Sequence, residues 1–256
     1  MSSESLEYHL IGTYTRYSSW TARVATLLEY FKIPYKATYV ALSDVKSVSP
    51  SGFVPLLQIP SLGPSININD SLAICEFLAE SHPDLKLWPK DRLLRATARS
   101  AVAEMHSGFS VIRNTYHTNF IAKYTGKIPI TEQGTKEIER MLKLWGDSRK
   151  RTIGILKASG EEDEGYLFGS FGIADAFFWP VLWRFRTYNL PLDSATPEAI
   201  AWIAKMWSDP ILQELGNDYF RQAERPETGI EKYDDIFEGH KDITFGKFEE
   251  NWEFSG

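Results

Sequence analysis

The sequence predicts an α+β protein in two parts: a domain of strands and helices in βαβ-ββα order over residues 1 to 84, then an all-helical domain over residues 85 to 225. Three observations carry this. Short apolar runs bounded by Pro, Gly and Ser alternate with helical stripes up to residue 84, the 3.6-residue period runs on almost alone after it, and 43% hydrophobic content can supply both cores.

In the first part, "EYHLIGTY" reads as a strand. Residues 20 to 31 follow as a helix with Val24, Leu27, Leu28 and Phe31 on one face, ended by Pro34 in "KIPY", and "YKATYVAL" is a second strand. "VPLLQIP" and "SININ" are two short strands around "SLGP", and "DSLAICEFLAE" is a helix that stops before His82-Pro83. In the second part, the run from Leu85 to Tyr124 predicts one long helix entered through Pro89. Another spans residues 131 to 158, where Ile138, Met141, Leu142 and Trp145 recur at helical spacing; shorter helices fall near 173 to 187, 197 to 208 and 210 to 222.

Residues 226 to 256 form an acidic extension. Nine carboxylates stand there against Lys232, Lys241 and Lys247, so this segment alone accounts for the chain's net charge of -6. Aromatics alternate with the acids (Tyr233, Phe237, Phe245, Phe248, Trp252, Phe254), which fits either a segment that packs on a surface or a partly ordered solubilising tail.

The charge balance, 28 basic against 34 acidic residues, repels phosphate backbones and anionic membrane surfaces, so neither nucleic acid nor membrane is an expected partner. No apolar run reaches about eighteen residues and "MSSESLEYHL" has no leader character, so a cytoplasmic location is expected, and the Asn69-Asp70-Ser71 sequon reads as incidental. A single cysteine, Cys75, on an apolar helix face reads as buried, and the five histidines show no metal-ligand spacing, so no metal is expected.

Three local signals point to chemistry. Ser18 and Ser19 open the first helix, where free N–H groups and the positive dipole end favour an anion, although a serine there is also an ordinary cap worth roughly 1 kcal/mol. Val54-Pro55 heads a short strand; a cis bond would turn the Val54 N–H and C=O outward for pairing with an extended peptide-like ligand, while a trans bond would merely begin an edge strand. Asp70-Ser71 opens the next helix and suits an amino-acid head, carboxylate on Ser71 and ammonium on Asp70, or again a cap.

In this order, with S-S-W-T-x-R after the first strand, then V-P, then D-S-L-A-I ahead of an all-helical domain, the chain resembles the soluble glutathione transferase superfamily over residues 8 to 222. Ser18-Ser19-Trp20-Thr21-Ala22-Arg23 is most similar to the serine-type zeta class. The resemblance implies a thioredoxin-like first domain that binds glutathione and a helical second domain, an apolar co-substrate pocket between the two, and a homodimer. It implies Ser18, with Ser19 second, as the hydrogen-bond donor to the glutathione sulfur, Val54 and Pro55 along the tripeptide backbone, and Asp70 with Ser71 at the γ-glutamyl end. It also implies a co-substrate pocket fed by the helix after residue 90; on the predicted long helix, Met105, Phe109 and Tyr116 share a stripe, with His106 and Arg113 on a neighbouring face. That stripe also suits an ordinary core, and His106 and Arg113 ordinary structural hydrogen bonds.

The implied activity is addition of the glutathione thiolate to a small electrophile, or cis-trans isomerisation of a dicarboxylate, with non-catalytic glutathione binding as the competing class. A thiol near pKa 8.5 becomes mostly thiolate at neutral pH after a two-unit shift, about 2.7 kcal/mol, within reach of a hydroxyl donor and a helix N-terminus. Two residues depart from the family pattern. Phe53 stands where relatives often carry Lys or Gln, and Gly172 replaces the usual Ser or Thr cap in Gly169–Asp175, leaving Asp175 to support that turn.

Overall fold

The computed structural model describes residues 7–63 and 66–255. The opening residues 1–6, read above for a leader, and Pro64 and Ser65, read above as part of a turn and a strand, lie outside them. The chain divides into one compact unit running to Leu85 and another from Lys86.

The first unit is a four-stranded sheet with helices. Its elements are β1 (Tyr8–Gly12), α1 (Ser19–Tyr30), β2 (Tyr35–Tyr39), α2 (Val45–Val48), β3 (Leu56–Gln58), β4 (Asn67–Asn69) and α3 (Ser71–Ser81). The strand order is β2-β1-β3-β4. β1 and β2 are parallel, joined by the α1 crossover that a parallel pair requires, while β3 is antiparallel to both β1 and β4. Leu10, Leu56 and Leu57 of the sheet are fully buried, as are Val24, Leu27 and Leu28 of α1 and Ile74 and Leu78 of α3. This is the thioredoxin-like arrangement. Absent from the sequence reading were α2 and two 3₁₀ turns, Leu42–Asp44 before it and Pro60–Leu62 between β3 and β4, all too short to show a period.

The second unit is the helical domain. It contains α4 (Arg92–Ser107), α5 (Ser110–Thr115), β5 (Ala122–Gly126), α6 (Glu132–Ser159), α7 (Ile173–Thr187), α8 (Pro197–Ser208), α9 (Pro210–Ala223), α10 (Glu231–Asp234) and β6 (Ile243–Lys247). Its core is built on fully buried aromatics, with Trp145 of α6 4.9 Å from Trp202 of α8 and 5.9 Å from Phe178 of α7 between ring centroids.

Two expectations are corrected here. The long helix predicted from Leu85 to Tyr124 is broken: α4 stops at Ser107, Gly108 closes it with its N–H on Glu104 O at 2.8 Å, and Phe109 follows in the left-handed region at φ 53°. A Cβ on Gly108 would stand 2.8 Å from the same Glu104 oxygen, so this is where the chain can turn. The restarted helix α5 takes its N-terminal cap from another helix, with Val111 N and Ile112 N donating to the Glu137 carboxylate at 3.2 and 2.9 Å. The last three residues of the predicted helix, Ala122 to Tyr124, instead begin strand β5.

The partner of β5 is the acidic extension. β6 pairs with it antiparallel, Tyr124 opposite Phe245, and the segment before β6 is tied down by Asn119 Nδ2 donating to the Tyr233 and Asp234 carbonyls and by Ile236 N donating to Tyr124 Oη at 3.0 Å. The extension is thus packed against the helical unit through residues 233–247. A two-stranded ladder is thereby added to the helical domain.

Candidate functional site

The sheet topology gathers the three sequence signals at one end. β1 runs toward Gly12, and because β3 is antiparallel to it, Leu56 at the start of β3 lies opposite Ile11. β4 is antiparallel to β3 in turn, so its last residue, Asn69, lies opposite Leu56. The turn into α1, the Val54-Pro55 bond and the start of α3 therefore all leave from this end of the sheet.

At the first of these, the turn after β1 is closed by Tyr17 N and Ser18 N donating to Tyr14 O, both at 3.0 Å. Ser18 is the N-cap of α1, accepting from Thr21 N at 3.3 Å, with its hydroxyl 2.9 Å from the Thr21 hydroxyl. Ser18 is half-buried; Ser19 lies inside the first turn and is buried. Sequence reasoning missed Thr21, a fully buried threonine whose hydroxyl orients the cap. The signal was its place three residues after the cap, together with Gly12: a Cβ there would stand 2.7 Å from Thr21 Oγ1, so only glycine lets the end of β1 touch this turn. Arg23, fully buried, sets its guanidinium 4.3 Å from the Trp20 ring centroid.

At the second position the Val54-Pro55 bond is cis. Val54 is half-buried, Pro55 buried, and Phe53 77% exposed, which leaves its ring free of any packing role. The loop before it is pinned to the end of β4: Ser49 Oγ donates to Phe53 O at 2.6 Å, and Ser49 Oγ and Ser51 Oγ lie 3.4 and 3.3 Å from Asn69 Oδ1. Ser49, Ser51 and Asn69 were also missed, since polar loop residues give no sign of which strand they reach.

At the third, Asp70 caps α3 through Oδ1, accepting from Leu72 N at 2.8 Å and Ala73 N at 3.3 Å. Its backbone is held at φ 77°, ψ 132°, a region few residues other than glycine enter, with a cost on the order of 1–3 kcal/mol. Ser71 beside it is 1% exposed, and its buried hydroxyl has no hydrogen-bond partner among the described residues. A buried hydroxyl left unmatched costs about 1–3 kcal/mol, and this one sits at the positive end of an eleven-residue helix. Both features suit an anionic acceptor. Cys75, one turn further on, is fully buried, and burial pushes its thiol far above the ordinary range despite the opposing Arg23 charge; its buried thiol is unsuited to thiolate chemistry.

The five remaining candidates lie in the other unit. Met105, Phe109 and Tyr116 are buried, and Tyr116 gives its hydroxyl to Pro129 O at 2.9 Å while Arg184 Nε holds its carbonyl at 2.9 Å. They share no continuous helix, since α4 has ended before Phe109. Arg113 Nε donates to Gly108 O at 2.8 Å, closing the break between α4 and α5, and His106 is half-buried on the last turn of α4.

Among the described residues no group of three or more His, Cys, Asp or Glu side chains is placed to hold a metal ion, and no helix is long and apolar enough to cross a membrane.

The family description "Glutathione S-transferase, N-terminal domain" matches residues 17–81, and "Glutathione S-transferase, C-terminal domain" matches residues 129–205. The chain belongs to the glutathione transferase superfamily. Within it, the chain is 36% identical over 100 residues to a probable maleylacetoacetate isomerase of Caenorhabditis elegans, a match covering 38% of this chain and 45% of that protein. It is 37% identical over 112 residues to the maleylacetoacetate isomerase of Dictyostelium discoideum, covering 42% and 51%. The chain thus matches about half the length of these two relatives. Pyrimidodiazepine synthase of Drosophila melanogaster is matched more fully, 82% of this chain and 81% of that protein, at 27% identity. These relatives belong to different classes of the superfamily, and the class of this chain is not fixed by them. Among solved structures, yeast Ure2p in complex with glutathione superposes with a TM-score of 0.61 at 19% identity, covering 81% of this chain and 97% of that one. A Burkholderia glutathione transferase homolog with bound glutathione superposes at 0.56 and 19%, covering 84% and 98%.

Proposed function

We propose that the protein is a glutathione-dependent transferase that holds the tripeptide at the end of the sheet where α1, Val54-Pro55 and α3 begin. The observation that carries this is the unmatched buried Ser71 hydroxyl beside the strained Asp70 backbone, on the same end of the sheet as the Ser18 cap. Ser71 and the start of α3 take the γ-glutamyl carboxylate, Asp70 faces its ammonium, and Val54 pairs with the tripeptide backbone. When bound, glutathione supplies the nucleophilic sulfur.

Ser18 is a stabiliser in this reading. Its hydroxyl accepts from Thr21 N, and with the Thr21 hydroxyl able to donate to it, the Ser18 proton is left to point at a sulfur. That donor and the α1 dipole together lower the thiol pKa. Ser19, buried in the turn, is second in line. A cytoplasmic homodimer is the assembly we expect, to be tested by sedimentation and fractionation.

A second reading, isomerase activity of the maleylacetoacetate type, is favoured by the Ser18–Arg23 sequence and by the two isomerase relatives, matched over 45% and 51% of their lengths. Assaying glutathione with a panel of electrophiles and of cis-alkene dicarboxylates separates the two. The ultraviolet difference spectrum of bound glutathione tests the shared claim: a thiolate band at neutral pH is expected, weakened in Ser18→Ala. Full turnover in Ser18→Ala would remove Ser18 from the chemistry, and binding without thiolate would make this a non-catalytic glutathione-binding protein.

A further inference from the structure

A cavity lies wholly within the helical unit, and the acidic extension forms one wall of it. It encloses about 370 Å³ between α7, α8 and the strand β5, and Trp207, Phe248, Trp252 and Arg186 line it. That volume lies in the range of small-molecule sites. The matched family regions end at residue 205, so Trp207, Phe248 and Trp252 are all supplied by chain beyond them.

Arg186 is the unusual group there. Its guanidinium carbon lies 4.0 Å from the Phe248 ring centroid, 4.2 Å from Trp183, 4.6 Å from Trp252 and 5.6 Å from Trp207. Among the described residues its buried Nε has no acceptor, and its only hydrogen bond is a long one, 3.4 Å from Nη2 to Phe120 O. No carboxylate lies within ion-pair distance of it among the described residues. This is notable because the segment that carries Phe248 and Trp252 to it also carries Glu249, Glu250 and Glu253, and all three face solvent. Burial pushes the guanidinium down to about 9, still charged at neutral pH. A cation desolvated by aromatic rings gains cation–π attraction but still lacks a counter-charge.

We propose that this cavity binds a small aromatic carboxylate, its anionic group on the Arg186 guanidinium and its ring among Trp207, Phe248 and Trp252. Each requirement of such a ligand has a counterpart in the wall: a positive group without an acidic partner, and π faces set for stacking or edge contact. The site is independent of the glutathione reading.

The test is isothermal titration calorimetry of the full chain with indole-3-acetate and with the neutral, similarly shaped indole-3-acetamide. The acetate is expected to bind roughly tenfold or more tightly than the amide, the size of one charge-assisted contact. Arg186→Gln should erase that preference. Leu192→Trp, which fills the cavity and leaves the guanidinium in place, should abolish binding of both. Saturating S-hexylglutathione should change nothing. Absence of acetate binding, equal affinity for the amide, unchanged binding in Leu192→Trp, or displacement by S-hexylglutathione would each overturn the proposal. Should Arg186→Gln fail to fold, the amide comparison and Leu192→Trp decide it.

Discussion

Gly12→Ala joins the fold to the site in a single atom. Gly12 ends β1 in an ordinary backbone region, so alanine there meets no dihedral penalty and by chain entropy alone would stabilise by about 0.4–1 kcal/mol. Its Cβ, however, would stand 2.7 Å from Thr21 Oγ1, 3.1 Å from Thr21 Cβ and closer still to Cγ2. Turning the Thr21 side chain moves Oγ1 and Cγ2 but leaves Cβ where it is, so either α1 shifts or the strand end does. Overpacking of this kind costs typically 1–3 kcal/mol, which sets the net loss at about 1–2 kcal/mol. Thr21→Ala alone should cost about 1 kcal/mol, mainly through the lost hydroxyl contact with Ser18. In the double variant the contacts with Oγ1 and Cγ2 are gone and only the 3.1 Å approach to the Cβ at position 21 remains, so the two changes should cost less together than their sum by about 1 kcal/mol. Urea unfolding midpoints at constant m report all four corners of the cycle. Gly12→Ala as stable as the parent, or two additive losses, would refute the close contact on which the position of Ser18 rests.

Thr21→Val keeps the shape of the buried side chain and removes the hydroxyl that faces Ser18; the thiol of bound glutathione should titrate higher than in the parent but lower than in Ser18→Ala, read by ultraviolet difference titration. Gly172→Ser installs the better helix cap yet should destabilise by about 1–3 kcal/mol in urea, because a Cβ there would stand 2.8 Å from Leu87 O, whose partner is Ile173 N at 3.0 Å. Asp175 is buried, and burial raises its carboxyl from 3.8 to about 6 against three donors, Leu167 N, Trp202 Nε1 and Gly172 N. Between those values the folded chain holds a proton that the unfolded chain has lost, so the ionisation penalty, about 3 kcal/mol, is complete above pH 6 and vanishes as pH falls toward 4. Relative to Asp175→Asn, the parent should therefore gain stability over that fall; a flat difference in unfolding free energy would contradict the burial argument.

The order β-α-β-β-β-α was legible because each element carries its own period and its own punctuation. Pro34 ends α1 and His82-Pro83 follows α3. In the helical unit the same held for α6 to α9. It failed after α4, where the apolar stripe through Met105, Phe109 and Tyr116 continues across a break. The stop signal, Gly108 after Ser107, was present in the sequence, but the reason for it is a carbonyl oxygen of the preceding turn, and the cap of the restarted helix comes from Glu137 on α6. Strand β5 was equally hidden, since its alternation of buried Ala122 and Tyr124 with exposed Lys123 and Thr125 lasts only five residues and its partner begins at Ile243.

At the candidate site the sequence left each signal undecided between cap and ligand contact, and the structure shows two of them, Ser18 and Asp70, as caps. Ser18 and Asp70 do cap their helices, Ser18 through a hydroxyl that still has a proton to donate and Asp70 through a carboxylate whose charge suits a cation. A local reading weighs each cap alone and finds it ordinary. What changes the weight is non-local: an antiparallel β3 returns Pro55 to the end of β1, an antiparallel β4 returns Asp70 to the start of β3, and one hydroxyl among them, that of Ser71, is buried with no partner among the described residues. Stability alone would favour alanine at position 71, which removes the unmatched group at no loss of helix propensity. On the proposed reading this serine serves binding rather than folding, so Ser71→Ala should raise stability by about 1 kcal/mol in urea while weakening glutathione binding, a pair of opposite changes that a purely structural serine would not produce.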